Sequence, residues 1–137
     1  MKLRELIKNL SIIEMNADAE LEISGVSYDS RKTEKGDMFV AIRGFEADGH
    51  KFIPKAVENG AAVILCEEKP SCDIPYVLVS DSRYGLAIVS RDFFGDPASE
   101  MTMIGITGTS GKTSSSYLIK HMLESKLDAV SYTHLTL

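Results

Sequence analysis

The chain has 137 residues, enough for one full domain or for a small domain and the start of another, and too few for a large multidomain enzyme. With 44% hydrophobic and 26% charged residues it can bury a real core and has no need to be disordered. Fifteen Lys and Arg against 20 Asp and Glu give a net charge of -5, so there is no broad basic surface for nucleic acid or anionic lipid, and any phosphate must be caught locally.

No apolar run approaches the roughly 18 to 20 residues of a membrane helix, and the start, MKLRELIKNL, lacks the apolar block and cleavage site of a signal peptide. The expectation is a cytoplasmic protein with no membrane insertion and no nucleic-acid partner. Cys66 and Cys72 have no metal-ligand spacing, and Cys66 closes the apolar run Ala62-Val63-Ile64-Leu65, where a small buried thiol fits.

In chain order, Leu3, Leu6, Ile7 and Leu10 follow one helix face and predict an amphipathic helix over residues 2–10. Ile23 to Tyr28 reads as a strand entering the polar turn Asp29-Ser30-Arg31, and Met38 to Ile42 as a second strand closed by the turn 44–49. Phe52, Ile53, Ala56 and Val57 return to helical spacing, with Gly60 placed to end the helix before the buried strand Ala62 to Cys66. Tyr76 to Val79 is a further short strand. Asp81 or Ser82 then caps a helix through Phe93 that carries Leu86, Val89 and Phe93, and Gly95-Asp96-Pro97 stops it. Short apolar strands alternating with helices define an α/β domain over roughly residues 1–98.

Residues 102–107 read as a strand leading into Gly108-Thr109-Ser110-Gly111-Lys112-Thr113-Ser114, followed by a helix bearing Tyr117, Leu118, Met122 and Leu123. Strand, glycine loop and helix are the parts of a phosphate-binding P-loop. Gly108 and Gly111 let successive N–H groups turn inward at phosphate oxygens, Lys112 brings a charge to the β and γ phosphates, and the Thr113 hydroxyl can ligate Mg²⁺. The general spacing asks for glycine five residues before Gly111, where Ile106 stands. The alternative is an ordinary Gly/Ser/Thr turn before a helix.

The loop Thr107-Gly108-Thr109-Ser110-Gly111-Lys112-Thr113 resembles the ATP loop of the Mur ligases, whose pattern T-G-T-x-G-K-[TS] absorbs Ile106 without difficulty. Asp29-Ser30-Arg31, Gly36-Asp37-Met38-Phe39-Val40-Ala41, Asp48-Gly49-His50-Lys51-Phe52-Ile53 and Gly60-Ala61 are similar, in order, to the N-terminal domain of the family's MurE and MurF branches. Gly95-Asp96-Pro97 and Tyr117-Leu118-Ile119 favour the MurE branch, with MurF the alternative. The resemblance covers residues 1 to about 126. It implies an α/β fold in which a uridine-nucleotide-binding domain (1–98) is followed by the first strand, P-loop and helix of a truncated central ATPase domain (99–127). The implied activity is an ATP- and Mg²⁺-dependent ligase of peptidoglycan precursor synthesis. ATP phosphorylates the terminal carboxylate of UDP-N-acetylmuramoyl dipeptide, and the amine of meso-diaminopimelate or lysine displaces phosphate.

On this resemblance Tyr28, Ser30, Phe45, Glu46 and Ala47 hold the UDP-sugar substrate, with Phe45 standing where some relatives carry histidine. Gly108, Thr109, Ser110, Gly111, Lys112, Thr113 and Ser114 bind ATP, Lys112 is the catalytic residue, and Thr113 is the Mg²⁺ ligand. The implied protein is a monomer. By themselves, Asp29-Ser30-Arg31 reads as a capped turn with a surface ion pair, His50 as structural, His121 as a surface or packing residue, and Glu67 and Glu68 as solvated. Residues 128–137 do not resemble the family, which suggests a truncated or misassembled reading frame or a cloning scar. A catalytically inactive nucleotide-sugar-binding module is the reading from another class. A folylpolyglutamate-synthase-like relative shares the loop style but would lack the Asp29-Ser30-Arg31 and Asp48-Gly49-His50 blocks.

Overall fold

A computed structural model describes residues 1–44 and 48–131, which fall into two compact units that divide between Glu100 and Met101. The first contains α1 (Leu3–Ile7), β1 (Ile12–Met15), β2 (Gly25–Ser27), β3 (Asp37–Val40), a 3-10 turn (Gly49–Phe52), α2 (Ile53–Glu58), β4 (Val63–Cys66), β5 (Tyr76–Val79), α3 (Ser82–Phe93) and a second 3-10 turn (Pro97–Glu100). The second contains α4 (Lys112–Leu123).

The five strands form one sheet in the order β1-β5-β4-β3-β2. β2 to β5 are parallel, with Val26 beside Met38, Phe39 beside Ile64 and Leu65 beside Val77, and β1 closes one edge antiparallel to β5. Because side chains alternate along a strand, each central strand feeds two cores. Met38, Val40, Val63, Leu65, Val77 and Val79 meet Leu3, Leu6 and Ile7 of α1 and Val89 of α3 on one face. Phe39, Ala41, Ile64 and Cys66 meet Ile53 and Ala56 of α2 on the other. β3 and β4 are therefore buried along their whole length, as expected of parallel strands covered on both sides. Each large side chain fully withdrawn here contributes on the order of 1.5–3 kcal/mol. Cys66 is a core residue whose burial pushes the thiol up to about 12.

The structure redraws some expected elements. The first helix stops at Ile7, where Leu10 N bonds back to Ile7 O at 3.0 Å and tightens the turn. Ile23 lies outside β2 because its backbone pairs with the chain start: Met1 N donates to Ile23 O at 2.9 Å and Ile23 N to Met1 O at 2.8 Å. β1 was not expected. Residues 102–107 pair with no strand among the described residues, so the strand read there is not formed; a strand needs a ladder partner, and Met101–Ser131 offers none. No residue of α4 is buried.

The parallel strands deliver their carboxyl ends to one rim of the sheet. Residues 28–31, 41–44, 67–68 and 80–81 leave from that rim, where open α/β sheets bind ligands.

Candidate nucleotide site and glycine loop

At the end of β2 the chain turns sharply because Asp29 organises its neighbours. Its carboxylate accepts from Arg31 N at 3.0 Å, from Arg31 Nε at 2.9 Å and from Arg31 Nη2 at 2.7 Å, while its carbonyl accepts from Lys32 N at 2.9 Å. The bidentate guanidinium, and after it the backbone N–H, hold the Asp29 carboxyl at about 2, well below the usual carboxylate range. Thr33 fastens the turn to β2, its hydroxyl lying 3.0 Å from that of Ser27.

Ser30 sits inside this turn, 7% exposed, and its carbonyl accepts from Asn59 Nδ2 at 2.7 Å. Its hydroxyl makes no hydrogen bond among the described residues. Ser30 helps to line a cleft of about 500 Å³ together with Tyr28, Asp29, Arg31, Phe52 and Lys55. Tyr28 is exposed on this cleft. Phe52, expected on the buried face of its helix, is 46% exposed instead, because the chain passes from 3-10 to α-helix at that residue and turns the ring outward. Sequence reasoning missed Phe52 and Lys55 as cleft residues. Their signal was available in principle: Ile53 and Ala56 define the buried stripe of α2, and positions 52 and 55 fall beside it. Phe45, Glu46 and Ala47 lie outside the described residues.

The segment carrying these three residues is closed at its base. Arg43 and Asp48 form an antiparallel bridge, and Gly49 N donates to Ile42 O at 2.8 Å. The approach demands glycine, since a Cβ at position 49 would stand 2.6 Å from Ile42 O. Asp48 Oδ1 accepts from His50 N at 3.0 Å and from His50 Nδ1 at 2.7 Å. The ring's far side, Nε2, accepts from Glu67 N at 3.0 Å and from Glu68 N at 3.3 Å. This pattern assigns the neutral Nδ1–H tautomer and makes His50 a clasp between the ends of β3 and β4, the structural part expected of it. Donation from His50, backbone first and then imidazole, lowers the Asp48 carboxyl below its ordinary value.

Glu67 and Glu68 are not merely solvated. Glu67 Oε1 accepts from Ser82 N at 2.9 Å and Ser82 Oγ at 2.8 Å at the start of α3, and Glu68 pairs with Arg43. Asp81 supplies the adjoining cap by accepting from Tyr84 N at 2.8 Å.

In the second unit the loop 108–111 enters α4 through Gly108 at φ +151° and Gly111 at φ +77°, the latter a left-handed N-cap that disfavours a side chain. No side chain caps α4, which leaves its first N–H groups free for an anion. Lys112 Nζ donates to Gly108 O at 2.6 Å, folding the ammonium over its own loop. Thr109, Ser110, Thr113 and Ser114 are exposed. His121, on the same helix, is exposed as well. Among the described residues no group of three or more His, Cys, Asp or Glu could hold a metal ion, and no helix is long and apolar enough to cross a membrane.

The first unit is thus an α/β domain covered by helices on both faces of its sheet, with a cleft at the carboxyl rim, and the second carries a glycine loop that opens a helix. The family model described as "Mur ligase family, catalytic domain" matches residues 22–101, and the chain belongs to that family. Among curated relatives it is 46% identical over 132 residues to the UDP-N-acetylmuramoyl-L-alanyl-D-glutamate--2,6-diaminopimelate ligase of Clostridium botulinum, covering 90% of this chain and 26% of that protein. It is 42% identical over 129 residues to the Clostridium tetani protein of the same name, covering 90% and 27%. Among solved structures, MurF from Acinetobacter baumannii matches with a TM-score of 0.71 at 27% identity over 91% of this chain and 28% of that one. A UDP-N-acetylmuramoyl-L-alanyl-D-glutamate--2,6-diaminopimelate ligase matches with a TM-score of 0.70 at 26% identity, covering 92% and 26%. The chain thus spans about a quarter of the length of these relatives.

Proposed function

We propose that the chain is the N-terminal part of an ATP-dependent ligase of peptidoglycan precursor synthesis, acting in the cytoplasm. In this reading it joins a diamino acid, meso-diaminopimelate or lysine, to the terminal carboxylate of UDP-N-acetylmuramoyl dipeptide. One observation carries the proposal: a match over 90% of 137 residues necessarily takes in both the Asp29-Ser30-Arg31 turn and the Thr107–Thr113 loop, and it is to ligases named for that reaction. Backbone likeness does not choose between branches, with TM-scores of 0.71 and 0.70, whereas the 42–46% identities favour the diaminopimelate ligases.

In this reading residues 1–98 bind the uridine nucleotide. Ser30 Oγ, the rim at Tyr28 and the segment Phe45-Glu46-Ala47 supply the few directed bonds that a neutral base and ribose require. Residues 99–127 begin the ATP-binding domain. The free N–H groups at the start of α4, with Gly108, Thr109, Ser110, Gly111 and Ser114 around them, receive phosphate oxygens, and Lys112 offsets their charge. ATP supplies the phosphoryl group that activates the carboxylate, and Mg²⁺ is held in part by the Thr113 hydroxyl. The loop carries no acid or base, so its contribution is orientation and electrostatics.

The test is a chimera in which this chain is continued by the remainder of the Clostridium tetani relative. Phosphate release should require ATP, UDP-N-acetylmuramoyl dipeptide and diaminopimelate together. Lys112→Ala should lower it by roughly 10³-fold with an unchanged melting temperature, because the side chain is exposed. Release unaffected by Lys112→Ala overturns the assignment. A chain that binds uridine nucleotides but gives no release in the chimera is the inactive nucleotide-sugar module.

A further inference from the structure

We propose that Phe52 and Lys55 complete the nucleotide cleft, Phe52 with Tyr28 presenting ring faces to the pyrimidine base and Lys55 meeting the diphosphate. This rests on the reading of the cleft as a uridine-nucleotide site. α2 buries Ile53 and Ala56 against the sheet, so positions 52 and 55, one helical turn apart, share the face that borders the cleft. Two large rings, Tyr28 at 68% and Phe52 at 46% exposure, are thereby left open on the same 500 Å³ space that Ser30 helps to line. A pair of open rings with a serine in the same lining suits a flat heterocycle that needs stacking and one or two directed bonds.

The charges divide the cleft. Arg31 is committed to Asp29 through two of its guanidinium nitrogens, Nε and Nη2, and through its backbone N–H, so that pair presents little net charge. Lys55 has the exposed Glu58 carboxylate at 3.1 Å, a solvated i,i+3 pair that a diphosphate can outcompete. In a protein of net charge -5, this lysine makes the cleft locally favourable to an anion. Both walls are fixed beforehand. Asn59 Nδ2 ties the end of α2 to Ser30 O at 2.7 Å, and Gly36 N donates to Gly60 O at 2.9 Å beneath them. A cleft whose walls are already bonded together loses little entropy on filling.

The 137-residue chain, its fold checked by its amide NMR spectrum, is titrated with UDP and with uridine. Phe52→Leu should weaken UDP and uridine alike by about tenfold, since it removes the ring and keeps an apolar side chain. Lys55→Gln should weaken UDP by about fivefold at low salt and leave uridine unchanged, with the difference shrinking as salt is raised. UDP binding at wild-type affinity in both variants overturns the inference alone, and so does a Lys55→Gln loss that is equal for uridine. A folded wild-type chain with no response to millimolar UDP overturns the uridine-nucleotide reading and this inference with it.

Discussion

Asp29 and Arg31 stand two residues apart on an exposed turn, yet their geometry is that of a clamp rather than a loose surface pair. Two guanidinium bonds and one backbone bond converge on the same carboxylate. The folded-state value near 2 lies below the ordinary one of roughly 3.9, so the clamp is fully present above that pH and is lost as pH falls through about 2. Arg31→Ala should move the Asp29 midpoint, followed by carboxyl carbon NMR, from about 2 up toward roughly 3.9. An unmoved midpoint would assign the depression to the backbone bonds instead. The turn also illustrates what single residues reveal in sequence. Asp29-Ser30-Arg31 reads directly as a capped ion-paired turn, because all three partners are local. The burial of Ser30 is not readable, since it depends on Asn59, 29 residues away.

At the scale of elements, the start of α3 is held by two acids from different places. Asp81 caps locally and was legible as such, while Glu67 reaches Ser82 from the end of β4 and was read as solvated. Glu67→Ala should cost about 1 kcal/mol of unfolding free energy, measured as a lower denaturant midpoint with an unchanged slope. Glu67→Gln, which retains an acceptor, should recover most of it. An unshifted midpoint in Glu67→Ala would show that Asp81 suffices. Elements whose partners are sequential were read well: β5 and α3 fall where the apolar spacing put them. β1 was missed because Ile12-Ile13-Glu14-Met15 is exposed throughout and exists by pairing with Val77, Leu78 and Val79 far along the chain. Residues 102–107 were over-read for the complementary reason, since their composition suits a strand but no ladder meets them.

For the molecule as a whole, burial is concentrated in one of the two units. β3 and β4 are covered on both faces, whereas α4 buries nothing, and Tyr117, Leu118 and Met122 are each 60–68% exposed. A 12-residue helix without packing is marginal in water. Hydrogen exchange followed by mass spectrometry should find the slowest amides in β3 and β4, and α4 exchanging within a factor of roughly ten of unprotected rates. Protection of α4 equal to that of β4 would contradict this division. The bridge between Arg43 and Asp48, with Gly49 locked against Ile42, has a consequence of its own. It works as a socket. Backbone bonds fix its two posts, so side chains between them can be exchanged while β3, the 3-10 turn and the His50 clasp stay where they are. If the proposed uridine-nucleotide site includes this rim, its recognition can therefore drift without the scaffold having to be rebuilt.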